Sequence, residues 1–120
     1  MMKVLIVDDS SIMRKAIEKY LGKLDVEIVG SAGDGKTALE MFKEKLPDVV
    51  TLDITMPEMD GLTCLEEMLK VKADSKVLVV SALKDEATAL EAINKGARGF
   101  LGKPFNAETL EEAFKELFED

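Results

Sequence analysis

Short apolar runs alternate along the chain with longer segments in which apolar and polar residues recur at helical spacing. Two runs, at 4–7 and 77–80, are wholly apolar, and a third, at 48–54, is mainly apolar and β-branched. This pattern predicts parallel strands buried on both faces of a sheet. Two weaker runs, at 26–32 and 99–102, predict an edge strand and a brief final strand. The chain is therefore expected to contain five strands.

The segments between and after these runs carry apolar residues every three or four positions, which predicts five amphipathic helices. Ser10 and Ser11, Asp34-Gly35 and Asn106 are typical helix starts, and Asn94 with Gly96 is a typical helix end. The residues predicted to face inward from four of these helices are Ile12, Met13, Ala16, Ile17, Tyr20, Leu21, Leu24, Ala38, Leu39, Phe42, Leu46, Leu62, Leu65, Met68, Leu69, Leu110, Ala113, Phe114, Leu117 and Phe118.

Strict alternation of five strands with five helices favours one doubly wound parallel sheet covered by helices on both faces. Five strand–helix units are too few to close an eight-stranded barrel. We therefore predict an α/β three-layer sandwich formed by a single domain over residues 1–120.

The composition and net charge of the chain restrict the binding partners and the cellular compartment that we expect for it. Sixteen basic and 24 acidic residues give a net charge of −8, which argues against direct contact with nucleic acid or an anionic membrane surface. The longest uncharged run, 77–83, has seven residues, too few for a membrane-spanning helix. Cys64 is the only cysteine and falls among apolar helical positions, so we expect a core residue and a reducing compartment. The expectation is a cytoplasmic monomer.

Polar residues stand where the predicted strands end. Asp8 and Asp9 follow the first strand, Asp53 ends the third, Ser81 ends the fourth and Lys103 follows the fifth. These positions share the carboxyl edge of the sheet, where open α/β sheets bind ligands. If the strand order is 2-1-3-4-5, the three aspartates converge at the point where the order reverses.

Three neighbouring carboxylates repel one another, and a hard divalent cation would reverse that repulsion. The chain has no histidine, and an all-oxygen ligand set favours Mg²⁺, with Mn²⁺ also suitable, over zinc. A cation, an ammonium and a hydroxyl around one carboxylate can hold a phosphoryl group. The carboxylate itself can act as the nucleophile and form an acyl phosphate.

Four segments of the sequence resemble the receiver domain of two-component response regulators: 4–10, 53–61, 80–82 and 103–105, which read VLIVDDS, DITMPEMDG, VSA and KPF. The resemblance covers essentially the whole chain and is strongest to stand-alone regulators of chemotaxis. It implies a flavodoxin-like (βα)₅ fold with strand order 2-1-3-4-5.

The resemblance also implies a role for each residue of the site. Asp53 would accept a phosphoryl group from the phosphohistidine of a histidine kinase. Asp9 and Asp53, with the backbone carbonyl of Thr55, would bind Mg²⁺, and Asp8 would act mainly through metal-bound water. Ser81 would contact the phosphoryl oxygens.

Three further expectations concern the end of the sheet near strand five. Lys103 would also contact the phosphoryl oxygens, and the Lys103–Pro104 peptide bond would be cis. Phe100 matches the aromatic position whose side chain swings inward when Ser81 moves.

The function expected from the resemblance is a phosphorylatable switch, not a metabolic enzyme. Its output would be protein binding through the face of helix four, strand five and helix five, with the flagellar motor switch as target and a phosphatase as a further partner. A phosphorelay intermediate, a phosphate sink and a receiver excised from a larger regulator remain alternatives.

Functions of other classes fit less well. An Asp-nucleophile phosphohydrolase commonly has a second Asp two residues after the nucleophile, where this chain has Thr55. A flavin carrier would place a phosphate beside Asp8 and Asp9, which would repel it. A receiver that cannot be phosphorylated would lack a residue of the site, and none is missing.

Overall fold

The computed structural model describes residues 1–54, 60–82 and 86–119. Its centre is a five-stranded parallel sheet with the order β2-β1-β3-β4-β5. The strands are β1 (Met2–Val7), β2 (Val26–Ala32), β3 (Val49–Asp53), β4 (Lys76–Ser81) and β5 (Gly99–Gly102). The predicted sheet, its order and the edge position of β2 are confirmed.

A helix follows each strand: α1 (Ser11–Leu21), α2 (Gly35–Lys45), α3 (Gly61–Val71), α4 (Glu86–Asn94) and α5 (Ala107–Glu116). Four helices begin at a residue whose side chain accepts a hydrogen bond from a backbone N–H of the first turn, and these residues are Ser10, Asp34, Asp60 and Asn106. The predicted end of α4 at Asn94 is confirmed.

Two apolar layers hold the helices against the sheet, one on each face. Residues of α2, α3 and α4 form one layer with the sheet, and residues of α1 and α5 form the other. Successive residues of β3 alternate between them, since Val50 and Leu52 belong to the first layer and Val49 to the second. The predicted three-layer sandwich is confirmed. Cys64 is buried in the first layer, as expected, and burial raises the pKa of its thiol to about 12.

Three residues predicted to face inward are exposed instead: Ile12 by 80%, Leu46 by 46% and Phe118 by 41%. Ile12 lies in the first turn of α1, whereas the buried residues of that helix, Ile17 and Leu21, come later. Leu46 caps α2 in the left-handed conformation, with φ 47°, so it no longer follows the helical face. Phe118 lies beyond the end of α5, where its ring packs edge-on against Phe114 at 5.6 Å.

Within the part of the chain that the structure describes, we find no helix with the length and apolar character needed to cross a membrane.

Candidate functional site

The strand order places the three aspartates together. Val7 of β1 is paired with Leu52 of β3, so Asp8 and Asp53, the next residue of each chain segment, lie at the same level of the carboxyl edge. The carboxylate oxygens that Asp8, Asp9 and Asp53 can offer a metal ion all lie within 4.8 Å of one another. The convergence expected at the point of strand-order reversal is therefore present.

Asp8 and Asp53 are each only 1% exposed, whereas Asp9 faces solvent. Lys103 reaches both buried carboxylates, because its Nζ lies 2.8 Å from Asp8 Oδ2 and 3.5 Å from Asp53 Oδ2. Burial of the Lys103 ammonium lowers its pKa, but the hydrogen bond and charge of Asp8 and the charge of Asp53 outweigh that effect, and the pKa of Lys103 is raised. Lys103 therefore stays charged at neutral pH.

The polar atoms of Asp8 are held by surrounding protein groups. Its carboxylate accepts hydrogen bonds from the Ser10 backbone N–H at 2.9 Å and from Lys103 Nζ at 2.8 Å. Its backbone N–H donates to the Ala32 carbonyl at 3.0 Å, and its own carbonyl accepts from Arg14 Nη1 at 2.6 Å. Asp8 is thus fixed in both its side chain and its backbone.

Asp9 shows the cost of crowding three carboxylates. Partial removal from water, and then repulsion by Asp53 and Asp8, raise the pKa of Asp9 above its usual value of 3.8. A hydrogen bond with Asp53 also favours the protonated form of Asp9, and Lys103 opposes the shift. The single ammonium of Lys103 therefore does not balance this cluster of three carboxylates.

These carboxylates suit a hard divalent cation. Each of the three aspartates can offer one oxygen, and oxygen-only sets are the preference of Mg²⁺ and Mn²⁺. A cation would also offset the repulsion that raises the pKa of Asp9. Thr55, whose carbonyl the resemblance adds to this set, lies outside the described residues.

Ser81 and Lys103 are joined through the backbone. Ser81 ends β4 opposite Gly102 of β5, and the backbone N–H of Lys103 donates to the Ser81 carbonyl at 2.8 Å. The Ser81 side chain is fully buried, and the Lys103–Pro104 peptide bond is cis. Phe100, on β5, is half-buried and packs against the layer formed with α2, α3 and α4.

Two features of this region were not anticipated from the sequence. By its helical spacing Arg14 belongs to the polar face of α1, yet its guanidinium reaches the Asp8 carbonyl. Thr51, two residues before Asp53 on β3, is fully buried, and its hydroxyl has no hydrogen-bond partner among the described residues. Helical spacing places a residue on a face but does not reveal where a long side chain folds back, so no sequence signal identified the Arg14 contact.

Comparison with known proteins agrees with this geometry. Residues 4–115 match the family described as the response regulator receiver domain. The chain is 41% identical over 115 residues to the chemotaxis protein CheY of Thermotoga maritima, covering 96% of both chains. It is 43% identical over 111 residues to the chemotaxis protein CheY of Bacillus subtilis, covering 92% of each.

A solved structure also resembles the whole chain. The crystal structure of the CheX–CheY–BeF₃–Mg²⁺ complex from Borrelia burgdorferi contains a chain that superposes with a TM-score of 0.95 at 34% identity. The match covers 99% of the present chain and 90% of the other. Together with the strand order and the acidic cluster, these matches show that the chain belongs to the response regulator receiver domain family.

Proposed function

We propose that residues 1–120 act as a single receiver domain that accepts a phosphoryl group on Asp53 from the phosphohistidine of a histidine kinase. The observation that carries this proposal is the surroundings of Asp53. Its carboxylate is only 1% exposed, lies 3.5 Å from Lys103 Nζ and shares its end of the sheet with the carboxylates of Asp8 and Asp9. Burying a carboxylate beside two others lowers the free energy of unfolding. Such unfavourable arrangements are typical of functional sites.

The transfer is a substitution at phosphorus. An Asp53 carboxylate oxygen forms the new P–O bond, the P–N bond to the donor imidazole breaks, and the imidazole nitrogen leaves with the bonding electron pair and takes up a proton. Lys103 stabilises the negative charge of the phosphoryl oxygens, and the Ser81 hydroxyl donates a hydrogen bond to one of them. Asp8, Asp9 and Asp53, with the Thr55 carbonyl, would hold Mg²⁺, which supplies charge neutralisation when bound.

The output is assigned to the face of α4, β5 and α5. Ala92 is the one buried residue of α4, whereas Leu90 is 61% exposed and Ile93 is 45% exposed, so this helix offers apolar surface to a partner. Phe100 lies on the adjacent strand, and a change of its rotamer would link Ser81 to this face. The names of the CheY relatives favour a chemotaxis output. The flagellar motor switch as target and a phosphatase that ends the signal are what the resemblance to chemotaxis regulators implies.

The phosphorylation is tested with a small-molecule phosphodonor and Mg²⁺, followed by intact-protein mass spectrometry. We expect one added phosphoryl group in the original chain and none in Asp53→Asn. Asp48→Asn is the matched control, because Asp48 lies at the opposite end of β3 and should leave phosphorylation unchanged. Equal modification of the original chain and Asp53→Asn would contradict the assignment of Asp53.

The output is tested by affinity capture with beryllofluoride-treated protein. Capture of a flagellar motor switch protein by the treated chain, and not by the untreated chain, would support the chemotaxis role. Capture of a histidine-containing phosphotransfer protein alone would favour a phosphorelay intermediate or a phosphate sink.

A further inference from the structure

Arg14 forms the shortest of the contacts that hold Asp8. Its Nη1 donates to the Asp8 backbone carbonyl at 2.6 Å, from the second turn of α1. A charged donor makes this hydrogen bond stronger than one between neutral groups. The carbonyl belongs to the peptide unit that joins Asp8 to Asp9, so its orientation determines how the two carboxylates are presented.

The remaining contacts of Asp8 do not fix this peptide unit. The Ser10 N–H and Lys103 Nζ bind the carboxylate, and the Asp8 N–H is bound to Ala32 within the sheet. Among the contacts that the structure describes, the Arg14 hydrogen bond is the one made to the Asp8 carbonyl. Without it, the unit leading to the solvent-facing Asp9 would have more freedom.

Gly33, in the connection from β2 to α2, leaves room for the guanidinium because it has no side chain. A Cβ atom at this position would lie 3.0 Å from Arg14 Nη1 and 4.0 Å from the Asp8 carbonyl oxygen. The guanidinium therefore fits between the connection after β1 and the connection after β2, and a side chain at residue 33 would press on its tip.

We propose that Arg14 is a positioning residue for the acidic site, which sets its affinity for divalent cations by fixing the peptide between Asp8 and Asp9. This inference rests on the metal site of the proposed function. Electrostatics alone predicts the opposite effect, because a nearby guanidinium repels a cation and its removal would tighten binding. The sign of the change in affinity therefore separates positioning from charge.

The experiment measures thermal unfolding of the full chain against Mg²⁺ concentration, from which the dissociation constant is obtained by linkage. We expect Arg14→Met to raise the Mg²⁺ dissociation constant about tenfold, in line with the loss of other groups that orient metal ligands. Arg14→Lys keeps the charge and one donor, so it should recover part of the affinity. An unchanged or lower dissociation constant in Arg14→Met would overturn the proposal.

Gly33→Ala provides an independent test that leaves Arg14 in the sequence. The new methyl group should displace the flexible end of Arg14 and raise the dissociation constant about threefold, less than removal of Arg14 itself. The double variant should bind Mg²⁺ no more weakly than Arg14→Met, since both changes act on the same contact. Fully additive effects would contradict the proposal, and Gly33→Ala still tests it if Arg14→Met fails to fold.

Lys72→Met is the matched control for loss of a cation that donates to backbone carbonyls. Lys72 Nζ lies 3.4 Å from the Leu46 carbonyl and 3.3 Å from the Pro47 carbonyl, at the opposite end of the sheet. This variant should lose stability without a change in Mg²⁺ affinity, and an equal loss of affinity would show that the Arg14 effect is not specific. Failure of the original chain to respond to Mg²⁺ would instead refute the metal site of the proposed function.

Discussion

The two ends of the sheet use aspartate and lysine in opposite ways. At the amino end, Asp48 accepts a hydrogen bond from the Lys3 backbone N–H at 2.8 Å and pairs with Lys72 at 3.1 Å. The Lys3 hydrogen bond, followed by the hydrogen bond and charge of Lys72, lowers the pKa of Asp48. At the carboxyl end the cluster holds three aspartates around Lys103, and the pKa of Asp9 is raised.

The difference separates a charged pair that stabilises the fold from a cluster whose excess negative charge is suited to binding a cation. At the amino end the charge of Asp48 is paired with that of Lys72, and the Ser75 hydroxyl also donates to the Pro47 carbonyl there at 2.9 Å. The carboxyl end holds three carboxylates beside one lysine, and the raised pKa of Asp9 means that ionisation of Asp9 opposes folding in the absence of a cation. Placing the excess charge where a ligand is expected is typical of functional sites.

The largest effect is expected from removal of Lys103. Lys103→Met would leave the buried carboxylates of Asp8 and Asp53 without their ammonium and should lower the free energy of unfolding by about 3 kcal/mol in metal-free buffer. Mg²⁺ should restore part of this loss. Urea unfolding with and without Mg²⁺ measures both effects.

The corresponding change at the amino end is Lys72→Met. Lys72 pairs with a carboxylate that is 45% exposed, so the loss should stay below about 1 kcal/mol and should not depend on Mg²⁺. Equal losses in the two lysine variants would remove the distinction between the two ends.

Asp9→Asn should stabilise the protein in the absence of metal, because it relieves repulsion within the cluster. Asp9 faces solvent, so the gain should be no more than about 1 kcal/mol. The folded-state pKa of Asp9 is raised above 3.8, so ionised Asp9 lowers the free energy of unfolding at neutral pH. This loss shrinks as the pH falls through the folded-state pKa and is absent below 3.8. Urea unfolding from neutral to acid pH should therefore show the variant's advantage shrinking.

Magnesium should reverse the order of stability at neutral pH. The original chain gains from cation binding, whereas Asp9→Asn has lost a ligand and gains less. A variant that remained the more stable protein in saturating Mg²⁺ would show that Asp9 does not contribute to the metal site.

The smallest effect is expected for Asp48→Asn, with the opposite sign. The folded-state pKa of Asp48 is below 3.8, so its charge contributes stability above that pH and loses it as the pH falls through the folded-state value. Asp48→Asn should be less stable than the original chain at neutral pH, by less than about 1 kcal/mol, and the two should converge in acid. A difference that persists unchanged in acid would mean that charge is not the cause.

Much of the fold was predictable because the sheet is buried on both faces. The apolar runs around Leu52 and Val79 are typical of strands that are buried on both faces. Strict alternation of strands and helices then leaves few possible sheet topologies. The strand order came from the family resemblance, and with it the meeting of Asp8 and Asp53 followed, because the carboxyl ends of neighbouring parallel strands lie at the same edge.

The exceptions lie where helical periodicity stops describing the chain. Ile12 precedes the turns of α1 that reach the sheet, and Leu46 leaves the helical path at the end of α2. Arg14 belongs to the polar face of α1 by its spacing, and only the fold shows that its long side chain returns to the Asp8 carbonyl. Such contacts depend on distances between connections that a one-dimensional pattern does not contain.

Gly61 has a consequence for how the site can vary. Its N–H donates to the Ile54 carbonyl at 3.2 Å, and a Cβ atom there would lie 2.2 Å from the Ile54 Cα and 2.7 Å from the Asp53 carbonyl oxygen. The start of α3 therefore packs directly against the backbone that follows Asp53. A side chain at residue 61 would not fit, so this close contact requires glycine. A side chain at residue 61 would therefore push the carboxyl end of β3 away from α3, so the position of the Asp53 carboxylate depends on a residue of the helix that follows it.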